Sequence, residues 1–396
     1  MAPVRRTTPF PTWPIFEADE VAAAVRVLES GKVNYWRGEE VREFECSFAG
    51  HTGVPYAIAL SNGTIALEAA LRAAGIGPGD EVVVPPRTYV ATASSVAFLG
   101  ARPVFADVDP DSEAITAETI ERVLSPKTKA IIVVHLHGWP ADMDPVMALA
   151  ESRNLLVIED CAQAHGASYK GKPVGGFGDI GAWSFCQDKI MTTAGEGGMV
   201  TTRSGELWSA MWSFKDHGKS HDTVSRTDHP PGFRWLVESF GTNARMTEVQ
   251  GAIGRLQLKK LAAWSAQRRA NAQVLTDGLA DHPLLRVPTV PATIEHARYK
   301  YSLFIRPERL RTDWSRDRIM QEVTGLGIPC FSGICGEVYL EKAFREAGMT
   351  PRTRLPIARQ LAETSLQLLV HPTLGSSDMA DAVSILRYVA DQACRR

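Results

Sequence analysis

The chain has 396 residues, 44% of them hydrophobic and 22% charged, a balance that fits a folded globular protein with room for two sizeable cores. A formal net charge of −2 offers no basic surface for nucleic acid or for an anionic membrane. Arg5 and Arg6 are followed by Pro9, Pro11 and Pro14 instead of an apolar run, no stretch approaches the ~18 apolar residues of a membrane span, and the six cysteines include no C-x-x-C pair; the expectation is a cytoplasmic protein with reduced thiols and no signal peptide.

Near the N-terminus, Asn34-Tyr-Trp-Arg-Gly38 reads as a turn. Folded over a site, its Trp36 could stack on a nucleotide and its Arg37 could pair with an acid. Strand-like runs then follow at Ala57–Leu60, Glu81–Val84, Pro103–Ala106, Ala130–Val134, Leu155–Glu159, Ala182–Phe185 and Met199–Thr202. Helical patterns lie between and after them at Thr64–Ala74, Val90–Leu99, Pro145–Ser152 and Gly205–Lys215. Alternation of this kind predicts an α/β fold, a mostly parallel sheet with helices on both faces. Thr247–Ala262 is a long amphipathic stretch that leads out of it. Tyr299–Ile305 then reads as a strand, Asp317–Gly325 as a helix and Asp378–Ala390 as a closing helix. The predicted division is a large domain over 1–265, N-terminal arm included, and a smaller α+β domain over 266–396.

Three segments carry chemistry. Lys189 stands in Gly181-Ala-Trp-Ser-Phe-Cys-Gln-Asp-Lys-Ile-Met-Thr-Thr-Ala-Gly-Glu-Gly-Gly-Met199, poor in charge and rich in small residues. A lysine amine there can bond covalently to an aldehyde, with the Ser184 hydroxyl upstream and a glycine-rich turn downstream. Leu155-Leu-Val-Ile-Glu-Asp160 is an apolar run ending in two acids, the pattern of a buried parallel strand whose carboxyl end faces a ligand. Asp160 by itself also suits a helix cap or a strand-end ion pair. Behind it stands Lys189, which favours a carboxylate paired with the protonated ring nitrogen of pyridoxal phosphate (PLP). Ser61-Asn-Gly-Thr64 joins a strand to a helix, and the helix N-terminus suits a phosphate, with Gly63 allowing close approach and Thr64 adding a hydroxyl. An ordinary capped helix has the same residues.

Other fragments carry less. Gly176-Phe-Gly-Asp-Ile-Gly181 matches G-x-G-x-x-G but precedes a strand-like run, whereas a dinucleotide fingerprint opens a helix. His217-Gly-Lys-Ser220 resembles the end of a P-loop, yet position 213 is Ser where that motif has Gly. Among the histidines only His135 and His137 are closely spaced, which suits structure or substrate contact better than zinc, and no metal site is expected.

Taken together, Ser61–Thr64, Pro86-Arg-Thr-Tyr-Val-Ala-Thr92, Glu159-Asp-Cys-Ala-Gln-Ala-His-Gly166, Ser184–Gly198 and Gly241-Thr-Asn-Ala-Arg-Met246 make the chain resemble the PLP-dependent sugar aminotransferases of the DegT/DnrJ/EryC1/StrS family over nearly its whole length. The resemblance implies the fold type I architecture of PLP enzymes, with a mixed, mostly parallel seven-stranded sheet. It implies that Lys189 holds the cofactor and shuttles protons and that Asp160 lies under the pyridine nitrogen. It places Gln163 near the phenolic oxygen, Tyr89 stacked on the ring, and Gly63, Thr64 and Ser184 on the phosphate. Asn243 would reach the phosphate of a neighbouring subunit, making a homodimer with shared sites. His217 and Lys219, on Asp216-His-Gly-Lys-Ser220, would help bind substrate at that interface, and His296 and Tyr299–Tyr301 would shape the pocket. The implied reaction moves an amino group from an amino acid, L-glutamate, to a nucleotide-linked keto-sugar. An inosose-type cyclitol is the main alternative acceptor. Related sugar dehydratases lack the lysine and use histidine, so Lys189 argues against that chemistry, and the intact site argues against a non-catalytic regulator. Cys186, Thr193-Ala-Gly-Glu-Gly-Gly198 and Gly333–Glu341 depart from the commonest pattern of the family and leave the acceptor open.

Overall fold

The computed structural model describes residues 5–228 and 231–395. In chain order its strands are β1 (Tyr56–Leu60), β2 (Glu81–Val84), β3 (Arg102–Phe105), β4 (Thr128–Val134), β5 (Leu156–Asp160), β6 (Ser168–Tyr169), β7 (Lys172–Pro173), β8 (Ile180–Ser184), β9 (Gly198–Thr202), β10 (Leu285–Arg286), β11 (Ile294–Glu295), β12 (Tyr301–Ile305), β13 (Cys330–Phe331) and β14 (Ser365–Leu368). Seven of these make one sheet in the order β1-β9-β8-β5-β4-β2-β3. Only β9 runs against its neighbours; the other pairings are parallel. Helices on both faces bury these strands from two sides, so β4 and β5 read as nearly unbroken apolar runs.

The predicted strands all form, with ends shifted by one or two residues. The helix expected at Thr64–Ala74 spans Gly63–Ala73. It starts there because the Asn62 side chain accepts the Ile65 N–H at 2.9 Å. Ala18–Ser30 and Glu40–Thr52 add two N-terminal helices. The second buries Val41, Phe44 and Phe48, a stripe at helical spacing.

The amphipathic stretch after Thr247 is one helix, Glu248–Leu279, opened by a capping box in which Thr247 and Gln250 exchange hydrogen bonds. Gly254 lets it cross the Glu40–Thr52 helix closely, since a Cβ there would stand 2.6 Å from the Phe44 ring. Its C-terminal half packs against Ser376–Ala393, and Ala272, Leu275 and Leu279 join the second core. That core lies under an antiparallel sheet in the order β10-β12-β14-β13. Residue 265 therefore falls inside a helix that serves both cores. Among the described residues no helix is long and apolar enough to cross a membrane.

Candidate active site

Parallel strands point their carboxyl ends to one edge, and the crevice there is where α/β sheets place ligands. At that edge lies a cavity of about 760 Å³, lined by Gly63, Thr64, Tyr89, Asp160, Gln163, Ser184 and Lys189. They come from the turns after several different strands. Asp160 and Ser184 end β5 and β8, Gly63 and Thr64 open the helix after β1, and Tyr89 follows β2.

Asp160 is 6% exposed. Thr92 Oγ1 donates to its Oδ2 at 2.8 Å, Thr88 backs Thr92 at 2.7 Å, and the Ala162 N–H donates to Oδ1 at 3.1 Å. Among the described residues it forms no ion pair. Burial pushes its carboxyl above the usual value, against the pull of those donors and of Lys189. A cationic group placed beside it would reverse that.

Glu159, one residue earlier, points to the other face of the strand. Its oxygens accept the Gly175, Phe177 and Gly178 N–H groups at 2.8 Å each, and His135 Nε2 lies 3.0 Å away. The Ala141 N–H donates to His135 Nδ1 at 3.1 Å, which puts the imidazole proton on Nε2. Burial pushes the Glu159 carboxyl up, but these donors outweigh it and hold the group below its usual value. Cys161 completes a buried trio with His135 and Glu159. Burial and the two neighbouring carboxylates keep its thiol protonated, and Glu159 is already satisfied, so the trio does not offer a metal site.

Gln163 Oε1 accepts the His137 N–H at 2.7 Å, which directs its amide nitrogen elsewhere. His137 sits in left-handed backbone, φ 56°. Burial pushes its pKa down to about 4 despite nearby Glu113, so the ring is neutral near pH 7. Tyr89 is 63% exposed, unusual for an aromatic ring beside a cavity and suited to stacking on a planar ligand. Gly63 packs on Ser184: a Cβ at 63 would lie 2.6 Å from the Ser184 Cβ. The first N–H groups of the 63–73 helix have no acceptor within the helix, so they and the Ser184 and Thr64 hydroxyls form an anion-binding set.

Lys189 forms no ion pair among the described residues. Its amine stands 5.1 Å from the Tyr299 ring centroid, and its carbonyl accepts the Trp13 indole N–H at 2.8 Å. The Tyr299 hydroxyl donates to Asp188, which anchors the loop from the other side.

Five candidates do not reach this cavity within one chain. Asn243 is exposed and pairs with Asp216 in an isolated bridge. His217, exposed with φ 61°, donates its N–H to the Thr242 carbonyl at 3.0 Å. Lys219 donates to Asp216 Oδ1 at 3.0 Å and lies 5.4 Å from the Trp36 ring. Trp36 packs edge-on against Tyr35 and Trp212, and Arg37 is exposed on the same turn. They gather in one patch outside the cavity. His296 is buried away from the cavity and Tyr301 belongs to the second core, whereas Tyr299 and Lys300 line the cavity. The structure adds wall residues that local pattern did not mark: Phe331, Gly333, Ile334 and Gln367 come from the second sheet and its loops. Only the chain's return from the far lobe brings them here.

A lysine at the mouth of a parallel sheet, in one cavity with a buried carboxylate and a phosphate-ready helix end, suits a PLP-dependent enzyme. Residues 14–387 match the DegT/DnrJ/EryC1/StrS aminotransferase family, and the chain belongs to it. It is 36% identical to the UDP-N-acetyl-3-dehydro-alpha-D-glucosamine 3-aminotransferase of Acidithiobacillus ferrooxidans, over 93% of each chain. It is likewise 36% identical to the L-glutamine:2-deoxy-scyllo-inosose aminotransferase of Streptomyces fradiae, over 98% of this chain and 97% of that one. Among solved structures, the aminotransferase from Psychrobacter cryohalolentis is 55% identical, with a TM-score of 0.95 over 97% of this chain and 100% of its own. Spr1654 from Streptococcus pneumoniae, in its PLP-form, is 25% identical with a TM-score of 0.87, over 97% and 99%.

Glu159 generates a pH prediction. Its folded value is depressed, so its stabilisation is fully present above the unfolded value of about 4.5 and is lost as pH falls through the lower folded value. Glu159→Gln should lower the denaturation midpoint near pH 7, and the gap to wild type should narrow below pH 4.5. Unfolding curves at pH 7 and at pH 4 measure both.

Proposed function

We propose that the protein transfers the amino group of L-glutamate, by way of pyridoxal 5′-phosphate, to the ketone of a nucleotide-linked keto-sugar, in the making of deoxyaminosugars for glycans. One observation carries the reading: a lysine amine and a buried carboxylate, neither in an ion pair among the described residues, share the same cavity. The residues fit the cofactor in three respects. Asp160 suits a cationic ring nitrogen, Tyr89 offers an open ring face, and the start of the 63–73 helix with Ser184 suits a phosphate. Gln163, whose Oε1 is taken by the His137 N–H, would donate its amide to the phenolic oxygen.

When bound, PLP supplies an aldehyde that accepts the amino group and a protonated ring that withdraws electrons from the reacting carbon. Lys189 holds that aldehyde between turnovers. Its amine, when free, would serve as the base that takes the proton from the donor α-carbon and as the acid that returns it for the acceptor. Asp160 keeps the ring nitrogen protonated. Tyr89 fixes the ring plane. Tyr299 and Gln367, both buried, line the cavity from the C-terminal half of the chain.

The nucleotide-sugar acceptor is supported by the Acidithiobacillus relative. A second reading, an inosose acceptor, is supported by the Streptomyces fradiae relative. A location in the cytoplasm goes with either, since all six cysteines are free. Purified enzyme offered a panel of nucleotide-linked keto-sugars and inososes decides between them. The proposal expects amination of a nucleotide-linked keto-sugar and no comparable rate on the free cyclitol; the reverse preference selects the second reading. In the same assay Asp160→Ala should lower transfer by at least about 10²-fold, the scale of losing one strong electrostatic element. Near-normal turnover would give the ring nitrogen another partner.

We also propose a homodimer in which Asn243 of one protomer reaches the phosphate of its partner, with His217, Lys219, Trp36 and Arg37 facing the partner's substrate. Support comes from their clustering outside their own chain's cavity. Lys189→Ala and Asn243→Asp should each be nearly inactive alone. Mixed heterodimers should regain one working site, because one of the two sites then draws both wild-type groups. Confirmed subunit exchange without recovery would assign Asn243 to its own subunit's site.

A further inference from the structure

A second cavity, about 460 Å³, adjoins the first and shares Asp188, Tyr299, Lys300 and Phe331 with it. Residues 9–13 of the N-terminal arm roof it. Arg268 lines it. That side chain is 1% exposed and reaches in from the middle of the Glu248–Leu279 helix. Its Nη1 makes long contacts to the Arg298 and Tyr299 carbonyls, 3.4 and 3.3 Å, and its guanidinium lies 5.1 Å from the Trp13 ring centroid, while Nε and Nη2 have no hydrogen-bond partner among the described residues. A guanidinium this buried, with two donor nitrogens unused, is costly unless an anion answers it. Burial pushes its pKa down to about 9 and also lowers that of Lys300. Neither side chain forms an ion pair among the described residues.

The remaining titratable groups facing this space cancel that charge only in part. Among the described residues Asp188 is the one carboxylate in the lining; it accepts from the Tyr299 hydroxyl and attracts both Arg268 and Lys300, so it offsets one of the two positive charges. His371 is neutral near pH 7, its pKa pushed down to about 4 by burial, and its Nδ1 lies 2.8 Å from the Thr373 hydroxyl. The chamber is therefore basic, and it borders the reacting amine. The Lys300 and Lys189 amines stand 4.9 and 5.1 Å from the centroid of the same Tyr299 ring.

We propose that Arg268 and Lys300 bind the side-chain carboxylate of the amino donor, which makes the site selective for a five-carbon dicarboxylic amino acid over its amide. Reach decides which carboxylate enters. The α-carboxylate is bonded to the carbon that reacts beside Lys189 and stays in the first cavity. The side-chain carboxyl carbon lies three bonds from that carbon, two more than the α-carboxyl carbon, and can pass the Tyr299 ring into the second. An amide would meet the same donors without charge, and the difference between a charged and a neutral acceptor is on the order of 10-fold or more in affinity.

This inference rests on the aminotransfer reading, and its test separates the two. Donor binding is read from the loss of the cofactor's visible absorbance on adding L-glutamate or L-glutamine without acceptor. Glutarate, which cannot react, and inorganic phosphate are titrated by calorimetry. Wild type should favour glutamate over glutamine by at least about 10-fold, and should bind glutarate more tightly than phosphate. Lys300→Met should collapse the glutamate-to-glutamine ratio towards unity and weaken glutarate; Arg268→Lys, which keeps the charge but loses the fork, should do so in part. The ratio is read in Lys300→Met enzyme with wild-type circular dichroism and cofactor content, which sets a folding defect apart from loss of the carboxylate site. An intact ratio in Lys300→Met, equal use of both donors by wild type, or phosphate bound more tightly than glutarate would overturn the carboxylate site. A wild-type enzyme that binds glutarate yet reacts with neither donor would overturn the aminotransfer reading and leave the carboxylate site standing.

Discussion

The site depends on how one strand end divides two adjacent carboxylates. Side chains alternate across a strand, so Glu159 and Asp160 at the end of β5 enter opposite environments. Glu159 meets three backbone N–H groups and an imidazole, which ties β5 to the Gly175–Gly178 turn and to the loop after β4. Asp160 meets one hydroxyl and one N–H, too little to offset its burial. The first carboxylate fixes the framework and the second is left with an electrostatic demand at the cavity floor. In the proposed function a protonated ring nitrogen would meet that demand, and the electron withdrawal needed for aminotransfer would follow from the pairing.

Lys189 is held from lobes remote in sequence. Trp13 binds its carbonyl, and Tyr299 grips neighbouring Asp188. Trp13 is itself set edge-on against Trp264 at 5.0 Å. The arm is pinned to the C-terminal helix, where Arg6 Nη2 meets Asp378 at 2.5 Å. The loop carrying the reactive amine is thus positioned by both ends of the chain. A pyridine ring needs such support, since a misplaced amine cannot serve as both anchor and proton shuttle.

The parallel sheet was legible because burial on both faces leaves apolar runs with little alternation, as in Ala130–Val134 and Leu155–Glu159. The core of the site was legible for a related reason: Asp160, Ser184 and Gly63–Thr64 stand at strand ends, where composition changes abruptly from apolar to polar. The N-terminal helices escaped notice, although Val41, Phe44 and Phe48 carry the period, because acidic residues interrupt the stripe. β10 and β13 are two residues long and leave no pattern to read. Gln367 and Arg268 enter the two cavities only through tertiary return of the chain, which no local window records. The division after residue 265 was drawn where amphipathic pattern faded, yet the helix continues because its second half packs on another partner.

Everything proposed for catalysis rests on Lys189 being the amine that carries the cofactor. Lys300 is the telling competitor, since both amines line the cavity and flank Tyr299. Borohydride reduction of the PLP-loaded enzyme, followed by digestion and peptide mass analysis, reads the attachment point directly. The account predicts the pyridoxyl group on the peptide containing Lys189, at that residue alone. A pyridoxyl group on Lys300, or on any other lysine with Lys189 unmodified, would contradict it.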